Sequence, residues 1–267
     1  MVKLIIIAIL LYLSFSVNTW LGIGVTLFGI LYVLYSNLPA LYAMKGNAAI
    51  SEKKLETALE WYKKAYKTDR ASSANILTYA TLLLRTGEVD EAETILNLVV
   101  LGKGKKADRD IKYKAKLYRS LLYYKTNREE DAIEDAEEVF DNFKNTMSYG
   151  LLGYLKLATN APFDETYSLC TEAYEYNGDD RDIADNMVVA HIRADELDKA
   201  REVCDKLLEN NPQFVEAHYH GAIIAKELGD LQKASELLEN ISQCSRTFLT
   251  TVSEQEIEEL KEKIKLS

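Results

Sequence analysis

Three histidines, three cysteines and a few acidic clusters are the residues here whose chemistry could serve catalysis or metal binding, and their spacing argues against it. His218 and His220 stand two apart in a stretch of helical periodicity. Their side chains therefore point to different faces and cannot grip one ion as a pair. His191 has no H-E-x-x-H context, and there is no C-x-x-C and no glycine-rich phosphate loop. Cys170 and Cys204 are 34 residues apart. They read as small buried hydrophobes rather than as a disulfide or a reactive pair. Glu129-Glu130-Asp131 and Asp179-Asp180-Arg181-Asp182 lack the spacing and the glycine of a calcium loop, and they suit helix starts instead. The expectation is no catalytic, cofactor-binding or metal-ligating residue, no cofactor, no small-molecule substrate, and no enzyme.

The charge is unevenly spread along the 267 residues, whose net charge is −10. Lys3 is the one charged side chain of residues 1–44; taking it from the 32 basic residues leaves 31 against 42 acidic ones, a net of −11 for the rest. Such an acidic body is a poor partner for nucleic acid. The uncharged head contains two apolar runs, Val2–Phe15 and Trp20–Tyr35, parted by Ser16 to Thr19. Each run would make a helix of about 21–24 Å, short against a hydrocarbon core of about 30 Å, with Trp20, Tyr32 and Tyr35 placed to extend the reach at the interface. The head reads as a membrane anchor over 1–36, a transmembrane helical hairpin of two short helices at about 2–16 and 20–35; a single retained span is the alternative. Lys3 lies before the runs and Lys45, Lys53 and Lys54 after them. Both termini and the body are therefore expected in the cytoplasm of a bacterial cell, beneath its membrane. Three unpaired cysteines agree with a reducing compartment.

The body repeats. Small residues recur at Ala58, Ala92, Ala132, Thr166, Ala200 and Ala234, in steps of 34, 40, 34, 34 and 34, and the one long step holds the loop Gly102 to Ala107. Twelve residues before these positions stand Gly46, Ala80, Ser120 and Ala222; four after them stand Tyr62, Leu96, Cys170, Cys204 and Leu238; Pro212 closes one unit. Gly87-Glu88, Asn127-Arg128, Asp195-Glu196 and Gly229-Asp230 mark turns of a left-handed kind. Val188 and Ala136 depart from the pattern in size, and Ala161-Pro162 in a turn. This pattern resembles the tetratricopeptide repeat, a 34-residue helix–turn–helix unit. The resemblance covers about residues 39–248. It implies an all-α fold, an α-solenoid of about six repeats over 37–248, with units at about 39–72, 73–106, 113–146, 147–180, 181–214 and 215–248. A capping helix over 249–267 follows, with Ser253 and Glu256 as its capping box and Ile257, Leu260 and Ile264 as its apolar stripe. Pro39 is expected in the first turn of the first repeat, capped by Ser36 or Asn37.

The resemblance also implies a function. In that family the first helices of the units line a concave groove. Its register places Asn47, Thr81, Leu121, Tyr154, Val189 and Ile223 in one row. It places Ile50, Leu84, Tyr124, Leu157, Ile192 and Lys226 in a second, flanked by Arg85, Lys125 and Arg193. Such a groove suits a peptide with apolar anchors and some acidic character. The clamp by which some members hold chaperone carboxylates is not supported, because Ala43 and Thr81 occupy two of its positions. The reading is a membrane-anchored scaffold or adaptor that binds a protein or peptide partner; the alternative is an assembly subunit of a larger membrane complex, whose head packs on other membrane helices through Gly22, Gly24 and Gly29.

Overall fold

The computed structural model describes residues 2–102, 108–159, 161–209 and 213–266, with backbone alone for 2–7. The basic loop beyond Gly102 and the closing Pro212 lie outside the described residues. Those described form helices joined by short turns and no strand. In order they are α1 (Val2–Val17), α2 (Thr19–Ser51), α3 (Leu55–Tyr66), α4 (Ser73–Thr86), α5 (Val89–Val100), α6 (Arg109–Lys125) and α7 (Glu129–Asn142). Then follow α8 (Thr146–Ala158), α9 (Phe163–Asn177), α10 (Arg181–Arg193), α11 (Leu197–Leu208), α12 (Val215–Glu227), α13 (Leu231–Asn240), a 3-10 turn at Ile241–Gln243, and α14 (Glu254–Leu266). They group into two compact units, Met1–Leu82 and Leu83–Ser267, the division falling inside α4.

In the first unit the chain reverses at Asn18, which caps α2 by accepting the Trp20 N–H at 2.7 Å. Past this cap the sequence expectation needs correcting. The second apolar run does not end near residue 35. It is the first half of one 33-residue helix that runs on through Pro39 to Ser51. Ser36 and Asn37 do not cap a new helix; their side chains donate backward to the Val33 carbonyl at 3.0 and 2.8 Å. Because the helix is continuous here, there are no free first-turn N–H groups for a cap to satisfy. At 1.5 Å per residue α2 is about 50 Å long. Among the described residues it is the one helix long and apolar enough to cross a membrane. The two helices of the head are thus a short α1 and a long α2 that lies against it, with the second boundary moved from about residue 35 to Ser51. The contact is close: a side chain at Gly22 would run into the Phe15 ring. The far end of α2 packs on α3 by the same rule, Gly46 admitting the Tyr62 ring, whose hydroxyl donates to Asn47 Oδ1 at 2.6 Å.

The second unit repeats one turn. Gly87, Asn127, Asp195 and Gly229 have φ of 85°, 58°, 60° and 82°. The next residue's N–H returns to the carbonyl five back: Glu88 to Leu83, Arg128 to Tyr123, Glu196 to His191 and Asp230 to Ala225, at 2.8–2.9 Å. This is the Schellman ending, which satisfies helix-end carbonyls and sets the angle of the next helix. Lys53 makes the same turn in the first unit, at φ 58°. Ala92, Ala132, Ala200 and Ala234 are wholly buried. Small side chains at these crossings let helices approach, and at one of them Ser120 Oγ donates to the Ala132 carbonyl at 2.6 Å. α14 closes the unit with Ile257, Leu260 and Ile264 in one apolar cluster with Val215, Ala222 and Leu237. Its start is a capping box, Ser253 N–H and Oγ on Glu256 Oε2 at 2.7 Å and the Glu256 N–H on Ser253 Oγ at 3.2 Å.

Candidate interaction surface

The residues expected to line a groove are on the first helices of the pairs, and burial sorts them. Asn47 and Thr81 belong to the first unit; Asn47 accepts the Tyr62 hydroxyl, and Thr81 Oγ1 donates to its own helix at the Thr78 carbonyl. In the second unit Leu84 and Leu157 are buried, which removes them from the surface and makes them part of the packing beneath it. Val189 and Ile192 are half-buried against the cluster that holds Leu157 and Met187, and Ile223 packs against the cluster of α12, α13 and α14. Leu121, Tyr124, Lys125 and Tyr154 are half-buried; Arg85 and Arg193 are exposed. Tyr124 and Tyr154 meet edge to face at 5.5 Å, a favoured aromatic geometry. Burial, with Tyr124 and the carboxylates of Glu216 and Glu256 nearby, pushes the Tyr154 phenol far up.

Two further features were not expected from the sequence. Glu216, on the first turn of α12, is buried. Arg246–Val252, the segment between the 3-10 turn and α14, also lies against these residues. Lys125 Nζ donates to the Thr250 carbonyl, the Thr251 N–H and Oγ1 donate to Glu216 Oε1 at 2.6 and 2.8 Å, and the Phe248 N–H donates to the Arg85 carbonyl at 3.4 Å. Burial lowers the Lys125 ammonium pKa, against the pull of Glu216 and Glu256. No periodicity marks this segment, and three of its four hydrogen bonds to the helices use its main-chain groups, the fourth its Thr251 hydroxyl.

The chemistry-bearing residues are packed into the array. Cys170 and Cys204 are buried, and burial pushes both thiols up to about 12, which leaves them inert at neutral pH. Among the described residues no group of three or more His, Cys, Asp or Glu side chains is placed to hold a metal ion. His220 Nδ1 lies 2.7 Å from Asp185 Oδ1. Burial disfavours its charged form, but Asp185 on α10, with Glu216 on α12 and Glu256 on α14, outweighs this and raises its pKa above 6.5. A pKa raised on folding adds stability that is full below the unfolded value and is lost as pH climbs through the folded one. Melting of the full chain in detergent should therefore fall as pH rises from 6 to 9, and H220Q should flatten that slope. Equal slopes for both proteins would refute the assignment.

Comparison with known proteins agrees with this architecture. Residues 49–117 match the family model described as tetratricopeptide repeat. No curated protein matches the chain. Among solved structures, a tetratricopeptide repeat protein from Parabacteroides merdae is 17% identical, with 86% of each chain covered and a TM-score of 0.55. Pseudomonas aeruginosa pilF is 16% identical over 86% of this chain and 99% of that one, with a TM-score of 0.58. PilW, described as a type IV pilus biogenesis factor, is 13% identical over 76% of this chain and 92% of that one, also at 0.58. Identities this low show fold alone. Residues 49–117 thus match a tetratricopeptide repeat, and over 86% of the chain the fold is similar to that of a solved tetratricopeptide repeat protein.

Proposed function

We propose that the protein is a membrane-anchored interaction scaffold: the head sits in the bilayer, and the array binds a protein or peptide on the cytoplasmic side. The observation that carries this is the surface of α2. Trp20, Leu27, Phe28, Ile30, Leu31, Tyr32, Leu34 and Tyr35 are all exposed, so the helix presents apolar side chains around much of its circumference. An exposed apolar band of this size marks a membrane or protein contact. The same helix continues without a break into the first repeat, so an anchor there would be joined to that repeat by helix rather than by a flexible tether. Lys45, Lys53, Lys54, Lys63, Lys64, Lys67 and Arg70 follow the band closely and outnumber Glu52, Glu56, Glu60 and Asp69. That bias favours the cytoplasmic side and an anionic leaflet. The similar structures, a tetratricopeptide repeat protein and a pilus biogenesis factor, fit a scaffold better than a catalyst.

The full chain should pellet with membranes and resist alkaline carbonate extraction, and a chain lacking 1–35 should be released to the supernatant. A full chain that stays soluble would sink the reading. The second reading, an assembly subunit, has its own observation: a side chain at Gly24 or Gly29 would meet nothing within 4 Å, so α2 keeps two open close-approach points beyond the one Phe15 fills. Replacing the head with an unrelated membrane anchor separates the two: the scaffold keeps its function and the assembly subunit loses it.

A further inference from the structure

The strap Arg246–Val252 touches three first helices of the second unit. Its tip is a turn, the Thr250 N–H donating to the Thr247 carbonyl at 3.0 Å, with Thr247 N–H on Thr250 Oγ1 at 3.0 Å. Phe248 and Leu249 stand at that tip, half-buried, where the Phe248 N–H reaches α4. Beyond the tip, α6 and α12 grip a single peptide unit from two sides. Lys125 donates to its oxygen, the Thr250 carbonyl, and Glu216 accepts its hydrogen, the Thr251 N–H, together with the Thr251 hydroxyl. A carboxylate and an ammonium withdrawn from water to hold one main-chain amide and one hydroxyl form a recognition element of defined polarity. Phe248 and Leu249 are only half-buried, so up to Thr251 the strap is held mostly by these polar contacts, and only its last residue, Val252, is buried in the apolar cluster. On either side the chain is anchored independently, by Ile241 of the 3-10 turn and by Val252 and the apolar face of α14. Local opening of the strap is thus possible while the cap stays in place.

We propose that this surface of Leu83–Ser267 is a peptide-binding site closed in cis by Arg246–Val252. Its partner in trans is an uncharged, Ser/Thr-bearing segment that turns on an apolar pair and takes the strap's place on Lys125 and Glu216. The proposal rests on the scaffold reading and deepens it. It also changes the peptide expected from the groove's basic flank: the partner is read by its main chain and hydroxyls, not by acidic side chains.

The test uses the full chain in detergent and a fluorescent peptide of the sequence Ser245–Ser253. In T251P the strap has no N–H for Glu216, and the open site should bind the peptide at least tenfold more tightly than the wild type does. T251P carrying E216Q should lose that gain. Equal affinity for the wild type and T251P, or binding by neither, overturns the proposal. Should T251P fail to fold, hydrogen exchange on the wild type decides: the Thr251 amide should be protected, and E216Q should speed its exchange at least tenfold while α14 amides are unchanged. Equal exchange of the Thr251 amide in the two proteins overturns it. Crosslinking in native membranes separates the two ideas, since a protein partner recovered while the peptide fails would end the strap proposal and leave the scaffold standing.

Discussion

Asp135→Ala should cost about 3–5 kcal/mol of stability, the range for removing one partner of a buried ion pair. Asp135 lies on α7 with 9% of its side chain exposed, and Arg119 of α6, at 14%, holds it by two bonds of 2.6 and 2.8 Å. The remaining Arg119 nitrogen donates to Asn97 Oδ1 of α5 at 2.7 Å, and Lys116 Nζ stands 3.5 Å from the same carboxylate. Arg119 of α6 thus joins α5, through Asn97, to the acid on α7. Without it, two cations stay withdrawn from water with one partner fewer, and that penalty exceeds what the pair adds in net stability. Thermal melting of the full chain in detergent should show a fall of roughly 6–20 °C for a chain of this size. D135N keeps an acceptor and should fall less. If the cost lies in stranding the charges, replacing Arg119 as well, as R119M with D135L, should recover part of the loss. A D135A protein within about 1 kcal/mol of the wild type would show that water reaches the cluster.

That cluster was not legible in the sequence, and the reason is physical. The repeat declares itself through side-chain size: Ala, Gly and Ser fall where helices cross, and these positions are buried as the pattern requires. The turns declare themselves too, because Gly, Asn and Asp tolerate the left-handed backbone found at Gly87, Asn127, Asp195 and Gly229. Asp135 and Glu216 carry no such mark. An acid in a strongly acidic chain looks solvated until the opposing helix is known. Size also misjudged the surface, since Leu84 and Leu157 fit a groove row by register yet lie beneath it. The strap escaped for a further reason: Lys125 and Glu216 read its peptide group, which is the same in any sequence. In the head, Ser36, Asn37 and Pro39 suggested that the second apolar run and the first helix of the first repeat are separate helices. The polar side chains of Ser36 and Asn37 bond backward instead, and α2 continues.

Leu155→Ala should lose about 2–5 kcal/mol, and the reason explains one departure from the repeat. The pattern asks for a large residue where Ala136 stands in α7. Sequence reasoning alone would therefore fill that position to stabilise the unit. The space is already taken: Ala136 and Leu155 are both wholly buried, in one cluster with Ala132 and Leu152, and half-buried Tyr123, Tyr124 and Phe140 pack around it. α8 supplies the bulk that α7 lacks. Leu155→Ala empties that volume, and the tyrosines around it are already committed, Tyr124 against Tyr154 and Tyr123 against the guanidinium of Arg128 at 4.1 Å. Collapse into the void is thereby limited, which puts the loss toward the upper part of the range. The complementary change, Ala136→Leu, should not stabilise but cost about 1–3 kcal/mol by overpacking. The two sites share one cluster, so their effects should couple: A136L with L155A should lose less than the two single losses combined. Denaturant unfolding of the four proteins, in the same detergent, reads this directly. Strict additivity, or a stabilising A136L, would mean that the two side chains do not compete for the same space.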